Sequence, residues 1–361
     1  MSAIPTVPAR EAEAAADLAE PARVLVWPID PNNPYTVSLH TAMGDGVRVE
    51  AYTPAKLAHR YALWHIHWPE ALLNIRNPAL AAFKLNVFLA MIDSVRARGG
   101  RIVWTLHNLK AHDALHPKLE ARFYPRFLRR VDGVIGLSPT GLEMAQEKFP
   151  RLRDLPAAVI PHGDYRGVYP PYGGDARAAL GIAPDARVIL YFGEVRGYKN
   201  VEALVRAFRG IAARNALLYV AGRPKNEALA QSVRREAAED PRVRLQLEFI
   251  DRGDVAKLFG AADLVVLPYR QILNSGAALL ALSMDRPVLV PDLGAMRDLQ
   301  QDMGPEWVRT YSGEIGPETL EDTLDWAARR ARSQCRMPDE YTWENIRAKT
   351  VRFYREVMQH K

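Results

Sequence analysis

The 361-residue sequence contains a single cysteine, Cys335. One cysteine excludes a disulfide framework within the chain and a cysteine-based metal cluster, and it fits a reducing, cytoplasmic setting. The sequence also lacks the uninterrupted run of roughly 18–20 apolar residues that spans a bilayer. The best candidate, Leu80 to Val95, is interrupted by Lys84 and Asp93. These absences predict a soluble or peripheral protein.

The first 20 residues lack the basic start and the apolar run of a secretory signal. They contain seven alanines, three glutamates and one aspartate. Such a composition is typical of a frayed chain end, so the sequence predicts a disordered tail over residues 1–20.

Apolar residues make up 48% of the chain, enough for two domains of ordinary size. Short apolar runs alternate with amphipathic stretches of ten or more residues, and this alternation predicts βαβ units with parallel sheets. We therefore expect an α/β protein of two doubly wound, Rossmann-like domains, 21–165 and 176–340, joined by a Pro- and Gly-rich linker. A last helix within 342–361 is expected to pack back on the first domain. Ligands should bind in the cleft between the domains.

The strongest motif follows the predicted strand at 187–192. It reads Tyr191-Phe-Gly-Glu-Val-Arg-Gly-Tyr-Lys-Asn200 and precedes an amphipathic helix. A glycine at a strand end lets a ligand approach the backbone, and two cations beside a helix N-terminus suit a diphosphate. The alternative is a solvated charged loop.

A second motif, Leu267-Pro-Tyr-Arg-Gln-Ile-Leu-Asn-Ser-Gly276, precedes a helix rich in alanine and leucine. Asn274 or Ser275 can cap that helix, and Gly276 lets an anionic group come close. A strand, a small polar turn and a buried helix N-terminus together predict a seat for an anion. The alternative is an ordinary capped core helix.

The order of these motifs resembles the donor domain of group-1 glycosyltransferases with the GT-B fold. The likeness extends over roughly Arg187 to Pro291. It includes Tyr219-Val-Ala-Gly222, Ala261-Ala-Asp-Leu-Val-Val-Leu-Pro-Tyr269 and Arg286-Pro-Val-Leu-Val290. In the first half, His65-Ile-His67, Thr105-Leu-His-Asn108 and Ile160-Pro-His-Gly-Asp164 resemble family positions less specifically.

The resemblance implies transfer of a sugar from a nucleoside-diphosphate sugar to an acceptor, without a cofactor or an obligate metal. Arg196 and Lys199 would neutralise the leaving diphosphate. The Asn-Ser-Gly turn would hold the distal phosphate or the sugar, and backbone near Phe249 and Ile250 would meet the base. The residues expected to bind the donor are Gly193, Arg196, Lys199, Gly222, Phe249, Ile250, Tyr269, Asn274, Ser275 and Gly276.

The chain departs from many relatives at one pair of positions. Those relatives carry two glutamates eight positions apart around the second helix, where this chain has Ile272 and Leu280. The sequence therefore resembles a divergent branch, of the kind found among exopolysaccharide-assembly enzymes. The donor stays open among GDP-mannose, UDP-glucose and UDP-glucuronate, and the missing pair favours inversion.

An inverting transferase needs a base for the proton of the acceptor hydroxyl. His107 matches a family position, and an imidazole titrates near neutrality. Asp113 and Glu70 follow strand ends and are rival candidates, and His67 is a further one.

The loop Asp30-Pro-Asn-Asn-Pro-Tyr-Thr36 is the candidate for acceptor binding. Asn33, Tyr35 and His67 are expected to contact the acceptor, although the loop also fits a turn without a ligand. His65 and His67 lie two apart with no third ligand apparent, so zinc is not expected.

The net charge of +6 is concentrated in one segment. Between Ala71 and Arg130, eleven basic side chains oppose three acidic ones, a net +8, so the remainder carries −2. Basic residues alternate with aromatics in Arg122-Phe-Tyr-Pro-Arg-Phe-Leu-Arg-Arg130, which suits an anionic membrane surface. A lipid-linked acceptor favours this interpretation over nucleic acid. The alternative is a core of aromatics beneath a solvated face.

The sequence as a whole predicts a cytoplasmic hexosyltransferase, with a peripheral position at the inner membrane face as an open possibility. Its acceptor would be an exopolysaccharide intermediate or a lipid-linked oligosaccharide. The alternative is a non-catalytic protein that binds nucleotide sugars or polysaccharide on the same fold.

Overall fold

The structure is a computed structural model that describes residues 21–44, 46–110, 115–329 and 333–360. The predicted tail over residues 1–20 lies outside the described residues, so its disorder stays a prediction. The described residues form two parallel sheets of six strands each, flanked by helices. The predicted α/β architecture of two Rossmann-like halves is confirmed.

The first sheet has the strand order β2-β1-β3-β4-β5-β6. Its strands are β1 Ala22–Trp27, β2 Val47–Ala51, β3 Leu63–Ile66, β4 Arg101–Leu106, β5 Gly133–Gly136 and β6 Ala157–Val159. The α-helices between them are α1 Pro34–His40, α2 Pro78–Ala97, α3 Pro117–Leu128 and α4 Pro139–Lys148.

The second sheet has the order β12-β11-β10-β7-β8-β9. Its strands are β7 Arg187–Phe192, β8 Ala216–Ala221, β9 Val243–Gln246, β10 Leu264–Val266, β11 Val288–Pro291 and β12 Val308–Tyr311. The α-helices of this half are α5 Ala176–Ala179, α6 Val201–Arg209, α7 Glu227–Ala238, α8 Arg252–Ala261, α9 Gly276–Ser283, α10 Met296–Met303 and α11 Pro317–Ala328.

The central strands are apolar throughout because helices cover both faces of each sheet. In β10, for example, Leu264, Val265 and Val266 are all fully buried. The last helix, α12 Trp343–Gln359, inserts Phe353 and Val357 into the core of the first sheet.

One local expectation is wrong, and one helix contains an internal proline. Helix α3 continues through Pro125. Its buried rings, Phe123 and Phe127, anchor both sides of the proline in the core, which offsets the lost backbone hydrogen bond. The loop expected at 30–36 instead ends in α1, where the Asn33 side chain caps the helix by accepting from the Tyr35 amide at 3.1 Å.

Helix α2 is, by length and composition, apolar enough to cross a membrane. One side of it packs into the first core through Leu85, Phe88 and Ile92. Its opposite side leaves Phe83 64% exposed, with Leu80 also in solvent. The helix therefore belongs to the core and still presents an apolar outer side.

Candidate functional site

A cavity of about 650 Å³ lies between the two halves, where the strands of both sheets end. From the first half it is lined by segments that follow β1, β3, β4, β5 and β6. From the second half it is lined by segments that follow β7, β10 and β11. The residues that line it are Asn33, Tyr35, Trp68, His107, Asn108, Leu109, Lys110, Leu137, Met144, Lys148, His162, Tyr165, Tyr198, Lys199, Tyr269, Arg270, Gln271, Ile272, Leu273, Asn274, Ser275, Gly276, Ala277, Leu293 and Gly294.

Lys199 lies at the wall of this cavity, on the turn between β7 and α6. Its Nζ atom lies 5.5 Å from the centroid of the Tyr269 ring. Burial lowers the pKa of Lys199 to about 8, while the nearby Glu194 carboxylate acts in the opposite direction. This partly buried ammonium forms no ion pair with the described residues, so it can pair with an anion that enters the cavity.

Arg196 occupies a different environment from Lys199. Its guanidinium pairs with Glu194, with 3.0 Å between Nη2 and Oε2, and it does not line the cavity. The two cations predicted to act together therefore differ. Lys199 lines the cavity, whereas Arg196 forms an ion pair with Glu194.

Two glycines bring the ends of β7 and β8 into close contact. Gly193 has φ +124° and Gly222 has φ +147°, values that side chains rarely adopt. A Cβ atom on Gly222 would lie 2.0 Å from the Gly193 carbonyl oxygen. The two strand ends can therefore approach each other this closely only because Gly222 lacks a side chain.

The Asn-Ser-Gly turn lines the other wall of the cavity. Ser275 is the N-cap of α9, since its Oγ accepts from the Ala278 amide at 3.1 Å. The Asn274 side-chain amide nitrogen is buried and has no hydrogen-bond partner among the described residues. Gly276 lies against the hydroxyl of Tyr165, which would be 2.9 Å from an added Cβ. The turn thus offers one unused donor beside a helix N-terminus.

The described lining is strongly cationic. Lys110, Lys148, Lys199 and Arg270 all line the cavity, and its described residues include no aspartate or glutamate. Ile272, at one of the positions where relatives carry a glutamate, lines it as an apolar side chain. This charge distribution suits a ligand with several negative charges.

The acceptor-side half presents an aromatic surface. The Trp68 and His107 rings stack, with 4.1 Å between centroids and 25° between planes. Tyr35 lies edge-on to His107, with centroids 5.0 Å apart. Burial raises the pKa of Tyr35 far above its usual range, and a hydrogen bond from Thr105 only partly opposes this. Tyr35 therefore contributes its ring to the cavity.

His67 does not reach the cavity. It is fully buried, and its two ring nitrogens contact His107 at 3.1 Å and His40 at 2.9 Å. The predicted contact between His67 and an acceptor is therefore wrong, because the His67 ring, directly after β3, lies inside the first half behind His107.

Glu70, one of the candidate bases, is also buried behind the cavity wall. One carboxylate oxygen accepts from the Asn108 amide at 2.8 Å, and the other has no partner among the described residues. Burial raises the pKa of Glu70 to about 7. It reaches the cavity only through Asn108, whereas Asp113 lies outside the described residues.

Phe249 and Ile250, expected near the nucleotide base, do not line the cavity. Phe249 is 61% exposed and Ile250 is buried. The strand β9 ends at Gln246, so these residues follow it on a loop outside the cavity. The contact between this backbone and a nucleotide base therefore stays a prediction.

Several lining residues were missed by sequence reasoning. Trp68 follows β3 directly, so its place after a predicted strand was a usable signal. Lys148 at the end of α4 and Arg270 after β10 show no sequence signal that distinguishes them from cations on the protein surface. The third histidine near His65 was also missed: His40, from α1, lies with His65 and His67 so that their ligand atoms are within 4.8 Å of one another.

The sequence matches the family model described as "Glycosyl transferases group 1" over residues 186–312. The GDP-mannose:glycolipid 4-beta-D-mannosyltransferase of Xanthomonas campestris pv. campestris is 29% identical, over 99% of this chain and 98% of that protein. These two matches agree with the donor-side motifs described above.

Solved structures share the fold at low sequence identity. Alr3699/HepE of Anabaena, crystallised with UDP-glucose, is 15% identical and has a TM-score of 0.64 over 93% of this chain and 98% of that chain. A glycosyltransferase of Rickettsia africae is 11% identical and has a TM-score of 0.67 over 95% of this chain and 100% of that chain. Residues 186–312 therefore form a group 1 glycosyltransferase domain, and the chain, with the GT-B fold of two Rossmann-like halves around a cationic cavity, is a glycosyltransferase that uses a nucleotide sugar.

Proposed function

We propose that the chain transfers mannose from GDP-mannose to a glycolipid intermediate of exopolysaccharide assembly. The observation that carries this proposal is the likeness to the Xanthomonas mannosyltransferase over nearly the whole of both chains. The cavity supports it, because four cations without a described carboxylate suit a donor diphosphate and a phosphorylated acceptor. UDP-glucose and UDP-glucuronate are the rival donors.

In this proposal the donor diphosphate lies between Lys199 and the Asn-Ser-Gly turn. Negative charge develops on the diphosphate as the bond to the sugar breaks, and the buried ammonium of Lys199 stabilises it. The acceptor enters from the aromatic side, near Trp68 and Asn33. Nucleotide sugars of this kind are α-linked, so a β-linked product, as named for the Xanthomonas enzyme, requires inversion and a base for the acceptor proton. His107, Glu70 and Asp113 are the candidate bases.

A thermal-shift screen of nucleoside diphosphates tests the donor. A ligand that binds only the folded protein stabilises it, so GDP and GDP-mannose should raise the Tm more than UDP, UDP-glucose or UDP-glucuronate. A larger shift with the uridine nucleotides would overturn the donor assignment. Release of GDP with and without a glycolipid acceptor then separates the enzyme from a non-catalytic binding protein, which would bind the donor without turnover.

The pKa of Lys199 makes donor binding depend on pH. The ammonium form binds the diphosphate, and in the free protein it is present below the lowered pKa of about 8 and is lost as the pH rises through that value. GDP affinity should therefore fall between pH 7 and pH 9, and binding should take up a proton near pH 8. Titration calorimetry in two buffers of different ionisation enthalpy measures this uptake. Affinity that is constant over that range would contradict the placement of Lys199 on the diphosphate.

We also propose that the apolar outer side of α2 docks on an anionic membrane. Leu80, Phe83 and Val87 are exposed along one side of this helix, and Lys84 lies among them. The exposed arginines of the adjacent α3, Arg122 among them, extend the positive charge. The aromatic rings of α3 are buried in the core, so the membrane contact expected from them is replaced by that of α2.

Vesicle sedimentation tests this docking. The double variant Leu80→Asp/Phe83→Asp should bind phosphatidylglycerol vesicles about tenfold more weakly, because two apolar side chains no longer enter the interface. Val37→Asp is the matched control, since Val37 is an exposed valine on helix α1. Binding of the unchanged protein should weaken with added salt. Equal binding of both variants would exclude α2 as the docking side.

A further inference from the structure

Three imidazole rings form a hydrogen-bonded row from the cavity into the first domain. His107 lines the cavity, and its Nε2 lies 3.1 Å from Nδ1 of His67. The Nε2 atom of His67 lies 2.9 Å from Nε2 of His40. His65 is outside this row, since its two nitrogens contact Thr105 and Tyr354, each at 2.6 Å.

The row can hold its protons in only two ways. Burial lowers the pKa of the three rings well below the usual value for histidine, so each ring is neutral and carries one N–H. Both nitrogens of His67 are engaged, and one of them must donate while the other accepts. The two hydrogen bonds therefore point in the same direction along the row. The direction of the hydrogen bond at His40 therefore sets which nitrogen of His107 carries the proton.

The surroundings of His40, at the inner end of the row, favour one of the two hydrogen-bond directions. The Nδ1 atom of His40 is buried and has no partner among the described residues. If the row points inward, this atom carries an orphaned N–H; if it points outward, it is an acceptor without a donor. Orphaned buried N–H groups are the rarer of the two in proteins. His40 therefore donates to His67, His67 donates to His107, and His107 keeps its proton on Nδ1.

We infer that His67 and His40 are positioning residues that fix His107 as a hydrogen-bond donor to a substrate oxygen. This inference rests on the proposed function only for the identity of the substrate, since the tautomer belongs to the free protein. An Nδ1–H group in the cavity can bind a hydroxyl or phosphate oxygen, but it cannot take a proton. The base is then not His107, which leaves Glu70, behind Asn108, and Asp113.

Nitrogen-15 NMR of the histidine rings tests the tautomer in the free protein. With labelled histidine, the nine histidines can be assigned by single substitutions. The wild-type spectrum should show His107 protonated on Nδ1 and unprotonated on Nε2. The opposite assignment, or an imidazolium, overturns the inference, and so does one equivalent of zinc in the purified protein, because metal ligation would occupy the lone pairs of His40 and His67.

The variant His40→Phe tests the coupling along the row. It removes the inner donor, so His107 should show both tautomers in exchange. His59→Phe, at an exposed position, is the control and should leave the His107 signals unchanged. A His107 spectrum that is identical in wild type and His40→Phe would show that the row does not set the tautomer.

Kinetics separate a donor from a base at His107. His107→Ala should lower kcat about a hundredfold, as loss of a preorganised donor does. His107→Gln, which can still donate through its amide, should recover to within about tenfold of wild type. Equal loss in both variants would assign His107 as the base and overturn the inference. Failure to bind or turn over any nucleotide sugar would refute the proposed function and would leave the NMR result standing.

Discussion

Replacing Lys199 with methionine should lower kcat at least a hundredfold, equivalent to about 2.7 kcal/mol of transition-state stabilisation. Methionine keeps the length and the apolar contacts of the side chain, so the ring of Tyr269 stays covered and the change removes mainly the charge. The effect should be large because the ammonium is buried, where a charge interacts with a developing anion far more strongly than in water. Steady-state kinetics with the cognate donor and acceptor measure this loss.

Two further variants show whether the loss belongs to this position. Arg196→Ala should cost about tenfold, less than the change at Lys199, because Arg196 is already paired with Glu194. Lys257→Met removes one charge from α8, where Lys257 pairs with Asp254 away from the cavity, and it should leave kcat unchanged. If Lys199→Met matched Lys257→Met, the diphosphate would have to bind elsewhere.

Replacing Gly222 with alanine should destabilise the second domain by about 3 kcal/mol. The added Cβ would lie 2.0 Å from the carbonyl oxygen of Gly193, and backbone cannot move aside as a flexible side chain can. The φ of +147° at Gly222 adds conformational strain. The Tm of this domain should fall by roughly 6–12 °C, and GDP binding should weaken, because the ends of β7 and β8 must separate.

Calorimetry measures this loss against a glycine that has room. Gly173→Ala, in the linker, is the matched control, since an added Cβ there meets nothing within 4 Å. Its Tm should stay within the error of wild type. A Tm for Gly222→Ala equal to that of the control would mean that Gly222 and Gly193 lie farther apart than in the structure.

The sequence predicted the elements of the fold well because each strand and helix carries its own local pattern. The apolar run at Val188 to Tyr191 indicates a strand buried on both faces, and the two six-stranded sheets appear where such runs alternate with helices. Tertiary packing outweighs a local rule at one position. Pro125 lies inside α3, because the buried rings on either side of it hold that helix in the core.

Most residues on the donor side of the site could also be predicted from the sequence, because they lie within short motifs. Lys199, Tyr269 and the Asn-Ser-Gly turn each follow a strand of the second sheet, and they meet at its carboxyl edge. Fewer residues on the acceptor side could be predicted. His67 lies two residues after His65, just past the end of β3, and nothing in that spacing shows that its ring lies behind His107 instead of in the cavity.

The sequence by itself determined the two Rossmann-like halves, the group 1 glycosyltransferase domain and the strand ends that carry the donor motifs. These follow from local periodicity and from short motifs. Only the tertiary structure decided which cations converge on one cavity, which side of α2 remains exposed, and that His40 and His67 form a row with His107. The physical reason is that parallel sheets join segments that are far apart in the chain, and neither burial nor hydrogen-bond direction is encoded in the spacing of residues along one segment.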